Sequence, residues 1–220
     1  MDYCYFIGVH LLTKWLNYMV SQKLNTKEKI LLAAKNILTV KGKDGTSMQE
    51  IADLAGINKA MLHYYFKNKD LLFEEVFVVE VKKFAPILKE KIAADLNLFD
   101  KIHSICEAYI LMATANPYLP LFVISELNKQ PELFILKVFD GEVPDFKKFG
   151  EQINKEVKLG IIKKVHPQHL IMNIMSMSVF PFLFKPIFQI GMQIEPEVYN
   201  NLMIQRIKEV PKFIIDSIKI

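Results

Sequence analysis

Five side chains in the stretch Thr46–Phe66, TSMQEIADLAGINKAMLHYYF, have the types and spacing to touch nucleic acid. They are Lys59, Ala60, Met61, His63 and Tyr64. On a helix starting at Lys59, Leu62 and Tyr65 point back to the preceding helix, and these five face outward or sideways. An ammonium group there can reach a phosphate or a guanine edge, and small apolar groups can touch a thymine methyl. A helix with small, basic and aromatic outward residues suits a DNA major groove, whose width admits one helix.

The flanking residues position that helix. Ser47 followed three residues later by Glu50 is a capping box, which starts a first helix. Ile51, Leu54 and Ala55 give that helix an apolar face, and Ala52 is small where two crossing helices approach. Gly56 ends it, because glycine accepts a positive φ at low cost. Asn58 then caps the second helix. Tyr65 and Phe66 follow the apolar spacing and are expected in the core, whereas His63 lies on the outward arc. The whole reads as a helix-turn-helix.

The chain has 220 residues, enough for one large domain or two smaller ones, and a 51% hydrophobic content excludes disorder by composition. A net charge of +4 does not by itself imply nucleic acid. Residues 26–72, however, hold eight lysines against five acidic residues, so the basic excess gathers around the motif. Only Arg206 among 28 basic residues is an arginine. Cys4 and Cys106 form no CxxC or Cys/His cluster, which points to reduced thiols in a cytoplasmic protein without a zinc site. No cofactor is implied.

Residues 1–24 form an apolar, aromatic extension. Asp2 and Lys14 argue against a signal peptide, and His10, Lys14 and Asn17 break any membrane span. The extension either packs on the domain or is upstream sequence ahead of a start at Met19; a surface amphipathic helix is the alternative. From Thr26, the positions Ile30, Ala33, Ala34, Ile37 and Leu38 form a core-facing stripe. Asn68 caps a further helix from Lys69, which Pro86 kinks or ends. Beyond residue 86 the patterns are helical throughout, with Asp100 as a cap, breaks at residues 116–120 and 140–141, and proline-opened helices near residues 144, 167 and 196. Period-2 alternation is absent. The expectation is an all-α protein of about nine helices: a three-helix helix-turn-helix domain over residues 25–72, then a larger helical domain over residues 73–220, with 73–86 as the connecting helix.

The stretch Thr26–Leu72 resembles the N-terminal domain of TetR-type transcriptional regulators. The residues that carry the likeness are the helix KEKILLAAKNILTVKG, then Ile51-Ala52, Ala55-Gly56-Ile57, Tyr64-Tyr65-Phe66 and Lys69-Asp70-Leu71-Leu72 at the family spacing. Met61 departs from the Ser or Thr common there, and His63 from the frequent Tyr. The resemblance implies that Lys59, Ala60, Met61, His63 and Tyr64 enter the major groove of double-stranded operator DNA. It also implies that Thr46, Ser47 and Lys69 hold phosphates at helix starts, where free N–H groups and the dipole favour an anion. Without arginine the motif cannot make the common bidentate contact to guanine. Two readings follow: reliance on lysine, apolar and shape contacts at an A·T-rich operator, or a lysine-biased genome with no bearing on the operator.

The resemblance further implies a helical C-terminal half that binds a small effector and forms a homodimer. The apolar run 170–184 is too short for a membrane span and, with residues 197–218, resembles the two helices of such an interface, where Ser176 and Ser178 allow close approach. Ile105, Tyr109, Met112, Phe122, Met172, Met175 and Phe180 are the expected pocket walls, suited to an apolar or amphipathic molecule; an ordinary core is the alternative for each. An enzyme is disfavoured, since nucleophile motifs, phosphate loops and metal spacings are missing, and His166 and His169 have no acidic partner nearby in sequence. A helical ligand-binding or interaction module at a membrane surface, without DNA binding, is the competing reading.

Overall fold

The computed structural model describes residues 24–220. The expected extension, residues 1–24 with the possible start at Met19, therefore lies outside them apart from Leu24. The described residues form ten α-helices and one π-helical turn, Ile187–Gly191, rather than about nine helices, and no strand. The fold is all-α. The chain divides into two compact units, with the boundary between Val76 and Phe77.

In the first unit, α1 (Thr26–Lys41) starts with a full capping box between Asn25 and Glu28. It buries Ile30, Ala33, Ala34 and Leu38 and packs on α2 (Met48–Ala55). The next helix, α3 (Lys59–Tyr65), packs on α2 in turn. The following helix, α4, runs Lys69–Ala93 with its N-terminal turn capped by Asn68. Pro86 does not end α4: both Pro86 and Lys82, whose carbonyl loses its i+4 donor there, lie on the exposed side.

The second unit is built around α5 (Leu98–Ala115), whose Ile102, Ile105, Cys106 and Ile110 fill its main core. The cap of α5 is Asn97, one turn earlier than Asp100; Asp100 instead donates its N–H to the Asn97 side chain at 3.0 Å. Against α5 pack α9 (Pro167–Leu183) and α10 (Pro196–Ile218), while α8 (Phe146–Lys158) adds Phe149 and Ile153. The paired helices α6 (Leu119–Lys129) and α7 (Pro131–Phe139) enclose a smaller cluster of Leu119, Phe134 and Val138 with Val81 and Ala85. No single described helix, α9 included, is long and apolar enough to cross a membrane; α5 and α6 pass that test only as a pair bent by 102°.

One interior proline sets the polar seam of this unit. Pro181 lies inside α9 and gives no N–H to the carbonyl of Met177, four residues back. The guanidinium of Arg206, on α10, donates to that carbonyl at 2.6 Å. The Tyr199 hydroxyl donates to the Pro181 carbonyl at 3.0 Å. The chain's single arginine thus repairs a helix broken by proline. Burial depresses its basicity and pushes the neighbouring Tyr199 hydroxyl up to about 12. Burial also pushes the Cys106 thiol up to about 11, which keeps it protonated and unreactive near neutral pH.

Candidate nucleic-acid interface

The geometry of the motif starts with its caps. Ser47 Oγ accepts from the Glu50 N–H at 3.2 Å, and Glu50 Oε2 accepts from the Ser47 N–H at 3.0 Å. Glu50 also pairs with Lys41 at the end of α1, and this pairing, with the Ser47 bonds, pulls its carboxyl down to about 2. Gly56 closes α2 in the left-handed region at φ 68°, ψ 35°. Asn58 Oδ1 accepts from the Met61 N–H at 2.8 Å, which starts α3. The Ser47 and Asn58 side chains each satisfy a backbone donor that the first turn of a helix leaves unpaired, and each N-cap contributes about 1 kcal/mol.

The core then orients α3. Leu62 is fully buried, with Ile51 and Ala52 of α2. Leu54, expected on that face, is 55% exposed. Tyr65 was also expected inside, but it is 41% exposed and meets Tyr64 edge-on at 5.5 Å. The reason is that α3 stops at Tyr65. Phe66 turns into extended backbone at φ −137°, ψ 108° and takes the core position. With Leu62 as the inward anchor, Lys59, Ala60, Met61, His63 and Tyr64 are all exposed together, Tyr64 at 85%. Tyr65 joins this surface, and helical periodicity alone could not reveal it.

Two of the residues expected on phosphate are engaged elsewhere. Thr46 is 4% exposed, and its hydroxyl donates to the Gly42 carbonyl at 2.6 Å. Its side chain is therefore turned inward, where it closes the turn between α1 and α2. Lys69 is half-buried and donates its ammonium to the Thr46 carbonyl at 3.1 Å. Lys43 pairs with Asp70 at 2.8 Å beside it and holds that carboxyl below the usual carboxylate range. These bonds tie the α1–α2 turn to the start of α4. Ser47 remains exposed while it caps.

The expected pocket residues are not brought together. Ile105 and Tyr109 are buried in the main core of the second unit. Phe122 packs on the α6–α7 cluster and stacks on Phe77. Met172, Met175 and Phe180 lie on the exposed side of α9, Met172 at 54%. Met112 alone of the seven lines a groove formed by residues of α4 and α5. Ser178 is fully buried, with its hydroxyl on the Ile174 carbonyl, so of the two small serines only Ser176 is exposed. His166 and His169 are exposed with ring centroids 5.6 Å apart, and no cluster of three metal-ligating side chains exists among the described residues.

A profile described as bacterial regulatory proteins, tetR family, matches residues 30–76, which contain the whole helix-turn-helix. The helix-turn-helix segment is thus similar to that of the tetR-family regulators. The HTH-type transcriptional regulator RutR of Escherichia coli (strain K12) is 28% identical to this chain over 210 residues, 90% of this chain and 93% of that one. The uncharacterized HTH-type regulator YhgD of Bacillus subtilis is 29% identical over 116 residues, so the chain spans about half, 52%, of that relative. A TetR/AcrR-family regulator from Thermobifida fusca shares the fold with a TM-score of 0.62 at 14% identity, covering 86% of this chain and 96% of that one.

Proposed function

We propose that the chain is a homodimeric transcriptional repressor that leaves its operator when a small apolar or amphipathic effector binds the second unit. The single observation that carries the DNA-binding part is the exposed arc of α3. Lys59, Ala60, Met61, His63 and Tyr64 stand out together because Leu62 and Phe66 anchor the helix from beneath. In this reading α3 enters the major groove, Ala60 and Met61 meet thymine methyls, and Lys59 and His63 meet base edges or phosphate. Ser47 and Tyr64 hold the backbone, and such contacts fix register while base edges give specificity. Thr46 and Lys69 support the turn, and Lys69 keeps donors for a phosphate.

The dimer follows from the exposed apolar side of α9 and α10. Met172, Met175 and Phe180 of α9 and Phe184 just after it, with Val198, Leu202 and Phe213 of α10, form an apolar surface that a second copy would cover. The three residues expected as pocket walls on α9 are thus assigned to this interface. Two copies present two α3 helices to half-sites roughly 34–36 Å apart, one turn of DNA. An effector that binds one dimer conformation better than the other shifts the population away from that spacing. A cytoplasmic location fits this role.

The test is fluorescence anisotropy of the full chain on DNA from upstream of its own gene, with and without candidate effectors. The proposal expects tight binding that weakens when an effector is bound. Operator affinity unchanged by every ligand that binds would refute the release mechanism.

A further inference from the structure

The second unit carries a groove of about 440 Å³ between α4 and α5. Its floor and walls are Phe84, Ile87, Ala108, Leu111 and Met112. The size is that of a small-molecule site, where an apolar lining with a few polar groups fixes orientation. On α4 the lining runs from Glu80 to Lys91, a helical distance of about 16 Å. The chain reverses through residues 94–97, so Lys91 shares its end of the groove with Ser104 near the start of α5, and Glu80 shares the other end with Asn116.

The charges at the two ends differ. Glu80 is buried and already neutralised by Lys83 at 2.7 Å. Asn116 spends its amide on the Met112 carbonyl. Lys91 is half-buried and has no carboxylate in ion-pair range among the described residues. Glu107, the remaining acid on the wall, is exposed and hydrated outside that range. An ammonium that lines the end of an apolar groove without an ion-pair partner can take an anion there through a charge-assisted bond.

We infer that this groove binds an unbranched amphipathic carboxylate, with its head on Lys91 and Ser104 and its chain along Phe84, Ile87 and Leu111. An extended chain of roughly ten carbons, about 12 Å long, fits within the groove length. The inference rests on the proposal that the second unit is the effector-binding one, and it names the class of effector.

Calorimetry on the full chain with decanoate, 1-decanol and decyltrimethylammonium, each below its aggregation limit, tests it. Decanoate is expected to bind about tenfold or more tighter than decanol, through the charge-assisted bond to Lys91. Lys91→Gln should erase that preference without changing the melting temperature. Ala108→Phe, which fills the groove, should weaken both ligands alike. Equal binding of decanoate and decanol, tighter binding of the alkyl cation, or a preference that survives Lys91→Gln would overturn the inference. Operator affinity measured on the same samples separates the two readings. Lys91-dependent decanoate binding that leaves operator affinity unchanged would keep the groove assignment and sink the release mechanism.

Discussion

If Arg206 is held in the chain to satisfy the carbonyl that Pro181 strips of its donor, then its worth depends on that proline. The perturbation is Arg206→Met, made once in the natural sequence and once with Pro181→Ala. In the natural background the substitution removes a 2.6 Å charge-assisted bond and leaves the Met177 carbonyl without its acceptor role filled. A stranded buried acceptor costs about 1–3 kcal/mol. Part of this is offset, because the guanidinium itself suffers from burial and its Nε has no partner. The expected net loss is about 1–2 kcal/mol. With Ala at 181 the backbone N–H returns to Met177, and the same Arg206→Met change should cost close to nothing. The coupling energy of the cycle is then about 1–2 kcal/mol. Urea unfolding at fixed protomer concentration measures it, since the cycle cancels the effect of proline on the unfolded chain. Equal costs in the two backgrounds, within about 0.5 kcal/mol, would refute the reasoning.

Other outcomes concern the first unit. Gly45 and Gly56 should respond differently to alanine: a Cβ at Gly45 would lie 2.5 Å from the Lys41 carbonyl oxygen, whereas at Gly56 nothing is within 4 Å and only the positive φ is unfavourable. Gly56→Ala should thus cost about 1 kcal/mol and Gly45→Ala distinctly more, read as lost hydrogen-exchange protection in α2 and α3. Leu62→Ala should cost about 2–5 kcal/mol of stability in this unit and weaken DNA binding through the loss of the α3 anchor, seen by thermal unfolding and anisotropy. The Glu50 carboxyl has a folded value of about 2 against 4.5 when unperturbed. The stability it contributes is present above 4.5 and is lost as pH falls through about 2. Glu50→Gln should flatten the acid limb of the stability profile in that window.

The parts of the fold that were legible in the sequence are those decided within one or two helical turns. Ser47–Glu50, Gly56 and Asn58 form the caps they announce, because capping uses only neighbouring residues. The inward anchor Leu62 and the outward arc from Lys59 to Tyr64 follow from the same local period. Tyr65 was misplaced because its direction depends on where α3 stops, and Phe66 competes for the same core position. Thr46 looked like a phosphate ligand by position, yet the Gly42 carbonyl lies within reach only after the α1–α2 turn folds. The α5 cap went to Asn97 over Asp100, two acceptors three residues apart that periodicity ranks alike. Pocket walls were the least legible. Apolar residues on α5 and α9 serve a core, a groove or an exposed face according to tertiary neighbours, and composition does not distinguish these.

The central claim is that α3 presents its exposed arc to the major groove. Ala60→Glu tests it most directly, since Ala60 is exposed, takes no part in the core and would place a carboxylate against the DNA. The account predicts that the variant melts like the natural protein, keeps its oligomeric state and loses specific binding to the upstream operator in an anisotropy titration at fixed salt. A correctly folded Ala60→Glu protein that binds that operator as tightly as the natural chain would contradict it.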